Sequence, residues 1–281
     1  MIIRLLFIVL SFYIFAFSEV SADDTVRARF TPNATRYKHT LTVAPLKLAN
    51  GSSLTLVSPA HLTGLTKKLS ILLERTHQQY TKIFGEIPTL TTSIRLIDER
   101  EFFKVTAAPE WTNALFYKNE IIIPIPENVA EIDLENISRA IKHEYTHAVV
   151  HALSAGRCPG WLDEGLAQWS EGPENPALQL ALLELLKKNR YIPFDKLQGG
   201  FTKLDVELVP AAYAQSLYVT KELLTQHGFS ALRRFFKVLR HGYSKDAAFI
   251  AGFNMNEGLI ENIAIRRIKA RLNQRQISAA Q

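Results

Sequence analysis

Apolar and polar positions change rhythm along the chain. Residues 23–60 are rich in Thr, Ser, Pro and Asn and alternate at Leu41, Val43 and at Leu54, Leu56, which predicts two or three short strands after a loose start. From Pro59 to Phe84 the spacing becomes helical through Leu62, Leu65, Leu69, Leu72, Leu73, Tyr80 and Ile83, and Gly85 and Pro88 stop it. A strand is expected over 93–97, a short helix over 99–106, and a strand within 113–125 carrying Ile121-Ile122-Ile123. After Asp133, a suitable N-cap, the chain turns helical. Helices are predicted over 134–153, from near Asp163 to Gly172-Pro173, and over 176–189, 211–227, 230–240, 245–251 and 258–274. Strands and one helix precede a run of helices, so the fold class is α+β.

The first 22 residues follow a different plan. Arg4 precedes the apolar run Leu5–Phe17, and Val20-Ser21-Ala22 offers small residues before Asp23-Asp24. This is the order of a secretory signal peptide, and it predicts export to a periplasmic or extracellular space. The alternative is an uncleaved anchor, although a run of 13 residues falls short of the ~20 a span requires. No later segment is long and apolar enough to cross a membrane.

The remaining length suits one large domain or two modest ones. The expected division is a strand-rich extension over 23–60 and a principal domain over 61–275, with an N-lobe at 61–130 and a helical C-lobe at 131–275. Net charge is +6 and stays there once Arg4 and Glu19 leave with the leader. The positive residues are spread out, apart from Arg266, Arg267, Lys269, Arg271 and Arg275 on the solvated face of the last helix, so nucleic acid is not expected as a partner. The single cysteine, Cys158, excludes an intramolecular disulfide and a thiolate zinc site. Sequons stand at Asn33, Asn50 and Asn136.

His143-Glu144-Tyr145-Thr146-His147 carries the clearest chemistry. Two histidines four apart on a helix project from one face and can reach one ion. The Glu after the first His can reach a water bound to that ion. Ile141, Ala148 and Val149 give the helix an apolar side, and buried His and Glu need a partner. A catalytic zinc site takes a third protein ligand and leaves one position open. Glu164, 17 residues after His147 within Trp161-Leu162-Asp163-Glu164-Gly165-Leu166-Ala167, is the candidate, because the intervening Gly-Arg-Cys-Pro-Gly turn folds the next helix back.

An H-E-x-x-H followed by W-L-x-E-G-x-A resembles the gluzincin metallopeptidases, most nearly the peptidase MA-like family, and is similar in this stretch to the zinc aminopeptidases. The resemblance spans about residues 60–275, including Ala212-Tyr213-Ala214-Gln215-Ser216. It implies a thermolysin-like fold: a small mixed sheet with a helix, packed against a helical lobe, and one zinc ion per chain in the cleft between them. It implies that Glu144 is the general base and that a downstream Tyr stabilises the oxyanion. Tyr213 fits that role, with Tyr218 and His227 as alternatives. The resemblance further implies an edge strand ahead of the zinc helix that holds substrate backbone, for which Asn113 and Ala114 are candidates. The Gly-Ala-Met-Glu-Asn element that captures a free N-terminus in the aminopeptidases has no counterpart here, which points to an endopeptidase acting on proteins or peptides.

Other residues carry plainer expectations. His151 continues the histidine stripe, but one turn further lies ~6 Å along the axis, so a packed or supporting role is expected. Gln168 and Glu171 could accept a hydrogen bond from a ligating His or face solvent. Trp161 and Trp169 are expected in the core, and the other histidines at the surface or in structural roles. The competing readings are a catalytically silent binding or assembly protein on the same scaffold, and a coincidental H-E-x-x-H with no metal.

Overall fold

The computed structural model describes residues 10–13, 40–106, 112–201 and 204–279. The rest of the expected leader and of the loose start lies outside the described residues. The strands are β1 Leu10–Tyr13, β2 Leu41–Lys47, β3 Ser53–Pro59, β4 Thr91–Asp98, β5 Thr112–Tyr117 and β6 Glu120–Ile125. The helices are α1 Thr63–Phe84, α2 Glu99–Thr106, α3 Leu134–Ser154, α4 Gly160–Ser170, α5 Pro176–Lys187, α6 Val209–Arg240, α7 Lys245–Phe253 and α8 Glu257–Ala279. Two compact units result: one takes the described residues among 9–79 and 88–148, the other those among 80–87 and 149–281.

The first unit is built on a mixed sheet of order β1-β5-β6-β4-β3-β2. β2 and β3, expected as a strand-rich extension, join this sheet through the parallel pairing of β3 with β4. β4 and β6 are also parallel, and β6 is buried on both faces, as the unbroken Ile121-Ile122-Ile123 run requires. Ile122 packs with Ile97, Leu115 and Phe102 of α2. Burying one such side chain contributes roughly 1.5–3 kcal/mol, so the sheet centre anchors this unit. The stretch expected as one strand over 113–125 is instead a hairpin. Lys118 (φ 46°) and Asn119 (φ 65°) form its two-residue turn, both left-handed as the twist of the flanking strands prefers. No glycine marks that turn, so it was hidden in the sequence.

In the second unit aromatic packing dominates. Trp161 stacks on Phe194 at 4.5 Å and lies parallel to Phe249 at 5.8 Å. Phe84 meets Phe229 and Phe236 edge-on. Arg233 donates to the carbonyls of Ile83 and Lys82 at the end of α1, where a cation also complements the helix dipole. α6 is interrupted at Gly228 (φ 68°, ψ 174°), which separates its two helical pieces as expected.

Helix α3 forms where its caps dictate. Asp133 Oδ1 accepts from the backbone N–H of Glu135 (2.9 Å) and Asn136 (3.2 Å). At the far end Ala155 and Gly156 turn left-handed, and Gly156 N–H closes on the His151 carbonyl. Helix α4 starts earlier than expected, at Gly160 and not near Asp163. A Cβ at residue 160 would sit 2.3 Å from the Gly199 carbonyl oxygen, so only glycine lets the helix begin there. Glu164 consequently lies in the second turn of α4.

Candidate metal centre

His143, Glu144 and His147 are fully buried on α3, with the two imidazoles edge-to-face at 4.8 Å between ring centroids. Their i, i+4 spacing places both rings over one side of the helix. Glu164 on α4 is 1% exposed. Ligand-capable atoms of His143, His147 and Glu164 all lie within 4.8 Å of one another. Among the described residues no other set of three such side chains converges in this way.

Two imidazoles and a carboxylate match the donor set of a catalytic zinc site.

Gly165, next to Glu164, sets how closely α4 approaches α6. A Cβ there would lie 2.1 Å from Thr220 Oγ1 and 2.5 Å from the Ser216 carbonyl oxygen on α6. The two helices therefore touch backbone to backbone beside the glutamate. By helical spacing Tyr213 shares the Ser216 and Thr220 face of α6. Tyr213 is fully buried, its ring edge-to-face with Phe201 at 5.0 Å. Gln215 grips the backbone of Ile192, accepting from its N–H at 3.0 Å and donating to its carbonyl at 2.6 Å. Tyr218 faces elsewhere: it lines a cavity of about 200 Å³ with Leu178, Leu182 and Leu186 of α5 and Ile268 of α8. His227 sits edge-on to Phe253 at 5.7 Å.

Asn113 and Ala114 fall on β5, with Ala114 fully buried and the Asn113 side chain outside the described residues. β1 pairs in parallel with β5 through Leu10–Thr112, Phe12–Leu115 and Tyr13–Phe116. His151 is exposed over Gly156 and not packed inside. Gln168 Nε2 donates to Glu171 Oε1 at 2.8 Å, and both residues are buried. Trp161 Nε1 donates to Glu257. Burial pushes the Cys158 thiol up, with Asp163 and Glu257 adding to the shift, so it stays protonated and unreactive at neutral pH.

His77 drew no attention by spacing. It is buried on α1, and its Nδ1 lies 2.7 Å from the hydroxyl of Tyr145 inside the H-E-x-x-H segment. Burial lowers its pKa. Its place one turn after Leu73 on the apolar stripe of α1 is the signal that could have found it.

The Peptidase MA superfamily model matches residues 102–266, more than half of the chain, and takes in His143, Glu144, His147, Glu164 and Tyr213. No curated protein matches the sequence. Among solved structures, an M1 zinc metallopeptidase from Deinococcus radiodurans aligns at 13% identity and TM-score 0.42, over 84% of this chain and 50% of its own. A mutant of that metallopeptidase bound to a Tyr-Ser-Ala substrate gives 14% and 0.45, over 81% and 50%. An aminopeptidase N family protein from Idiomarina loihiensis gives 14% and 0.42, over 74% and 42%. The chain thus spans about half the length of these structures or less. On the family match, this chain belongs to the Peptidase MA superfamily.

Proposed function

We propose that the chain is a zinc-dependent metallopeptidase that hydrolyses peptide bonds in protein or peptide substrates. One observation carries this reading: a buried His-His-Glu set with donor atoms within 4.8 Å, beside a buried Glu144 that is not part of the set. His143, His147 and Glu164 hold a single zinc ion. When bound, zinc acts as a Lewis acid and lowers the pKa of a coordinated water. Glu144 would act as general base, taking a proton from the attacking water and passing it to the departing amine. Tyr213 donates a hydrogen bond to the developing oxyanion. β5 is an inner strand flanked by β1 and β6, not an edge; removal of the leader, which carries β1, would free its edge, where Asn113 and Ala114 would offer backbone groups to an extended substrate. The lack of a Gly-Ala-Met-Glu-Asn element supports internal cleavage over removal of N-terminal residues.

The test is Glu144→Gln in purified, zinc-loaded protein presented with a random peptide pool. Gln keeps the size and polarity of Glu144 but cannot accept the proton. Turnover should fall by at least 10²–10⁴-fold, with zinc content retained. Unchanged turnover would remove Glu144 from the mechanism. A wild-type protein that binds zinc and cleaves nothing would favour a silent binding scaffold.

Export is part of the proposal, on the order of Arg4, apolar run and Val20-Ser21-Ala22. No helix among the described residues is long and apolar enough to cross a membrane. Mature protein is expected to begin at Asp23; N-terminal sequencing that starts at Met1 would contradict this and point to a tether.

A further inference from the structure

We propose that His77 and Tyr145 are positioning residues: their hydrogen bond sets the rotation of α3 about its axis and so aims His143 and His147 at the metal. The inference rests on the reading of those two histidines as ligands. Tyr145 is two residues from each of them, about 200° around the helix, so it projects from the opposite side. On that side Ile141, Ala148 and Val149 supply only apolar contacts, which are not directional. The Tyr145 hydroxyl, 2.7 Å from His77 Nδ1, adds a directional one. Both residues are buried within one compact unit, with their rings tilted at 55° and 6.2 Å apart.

The lever arm makes this consequential. Imidazole nitrogens held roughly 6–7 Å from a helix axis move about 1 Å for each ~10° of rotation. Zinc–nitrogen distances tolerate only about 0.2 Å. A modest roll of α3 would therefore cost metal affinity before it cost the fold. The chemical role of the contact is to hold an angle, and neither side chain meets substrate.

The test measures zinc affinity by chelator competition, and thermal stability of the metal-free protein, for wild type, Tyr145→Phe, His77→Leu and His77→Asn. Tyr145→Phe and His77→Leu should bind zinc 10–100-fold more weakly, as expected when a group that orients a ligand is lost. His77→Asn places an amide near the Nδ1 position and should recover most of that loss. The cobalt-substituted absorption spectrum should change in the first two variants and return toward wild type in the third. Zinc affinity within about twofold of wild type in Tyr145→Phe, whatever its melting temperature, would overturn the proposal. If His77→Leu does not fold, Tyr145→Phe decides alone, since it deletes a single oxygen. A wild-type chain that binds no zinc would overturn the ligand reading itself and this proposal with it.

Discussion

At the scale of single residues, the buried tyrosine on α6 is the sharpest point of decision. Tyr213 and Tyr218 are five positions apart, which separates them by about 140° around a helix. Tyr213 lies on the face that Gly165 touches, next along α4 to Glu164, whereas Tyr218 turns to the cavity beside α5. Tyr213→Phe should thus lower kcat by 10²–10³-fold, about 2.7–4 kcal/mol, with KM and zinc content nearly unchanged. Steady-state kinetics on a cleaved peptide, with metal analysis, would check it. Full kcat in the variant would return Tyr218 and His227 to consideration. The same scale explains why Cys158 carries no chemistry despite its place just before α4: a thiol kept neutral by burial and by neighbouring carboxylates is a poor nucleophile and a poor ligand.

Between residue and whole chain stand the contacts of α4 with α6. Helices usually pack with axes 8–10 Å apart, spaced by side chains. At Gly165 the spacer is missing, and Ser216 and Thr220 occupy the room a Cβ would need. Gly165→Ala would force the helices apart at backbone atoms, which cannot swing aside as a flexible side chain would. Overpacking of this kind costs typically 1–3 kcal/mol, and it would also shift Glu164. We expect a lower denaturation midpoint and weaker zinc binding together. A variant with wild-type stability and wild-type zinc affinity would show that α4 tolerates the displacement. Glycine at 160 plays a related part at the start of α4, where the Gly199 carbonyl approaches. Both glycines belong to the W-L-x-E-G neighbourhood, and each has a steric reason for its place.

For the molecule as a whole, the proposed ligand set links separate parts of the sequence. His143 and His147 come from α3 and Glu164 from α4, after an intervening turn. A metal that binds only the assembled set must stabilise the native chain by mass action, by about 4 kcal/mol at a free concentration 1,000 times Kd. Melting temperature should therefore rise with added zinc and fall on dialysis against a strong chelator, with His147→Ala insensitive to both. A scan in which the wild-type midpoint ignores zinc would count against the site.

Much of this was legible from sequence because it depends on local periodicity. The i, i+4 histidines needed only helical geometry, and the caps at Asp133 and Gly156 needed only short-range chemistry. The helices of the second half followed from apolar spacing and from glycine and proline breaks, with the interruption at Gly228 among them. The hairpin at Lys118-Asn119 escaped because its turn uses left-handed residues other than glycine. The start of α4 escaped because the reason for it, the Gly199 carbonyl, is 39 residues away. His77 escaped for the same kind of cause: a histidine on an apolar stripe has no distinguishing mark until a phenol 68 residues later comes within 2.7 Å. Sequence alone determined which side chains could bear the chemistry, since residue type and helical pitch are properties of the chain near each position. Tertiary structure alone decided which tyrosine faces α4, which glycines admit backbone, and which phenol meets His77, because each is a contact between segments that no local pattern encodes.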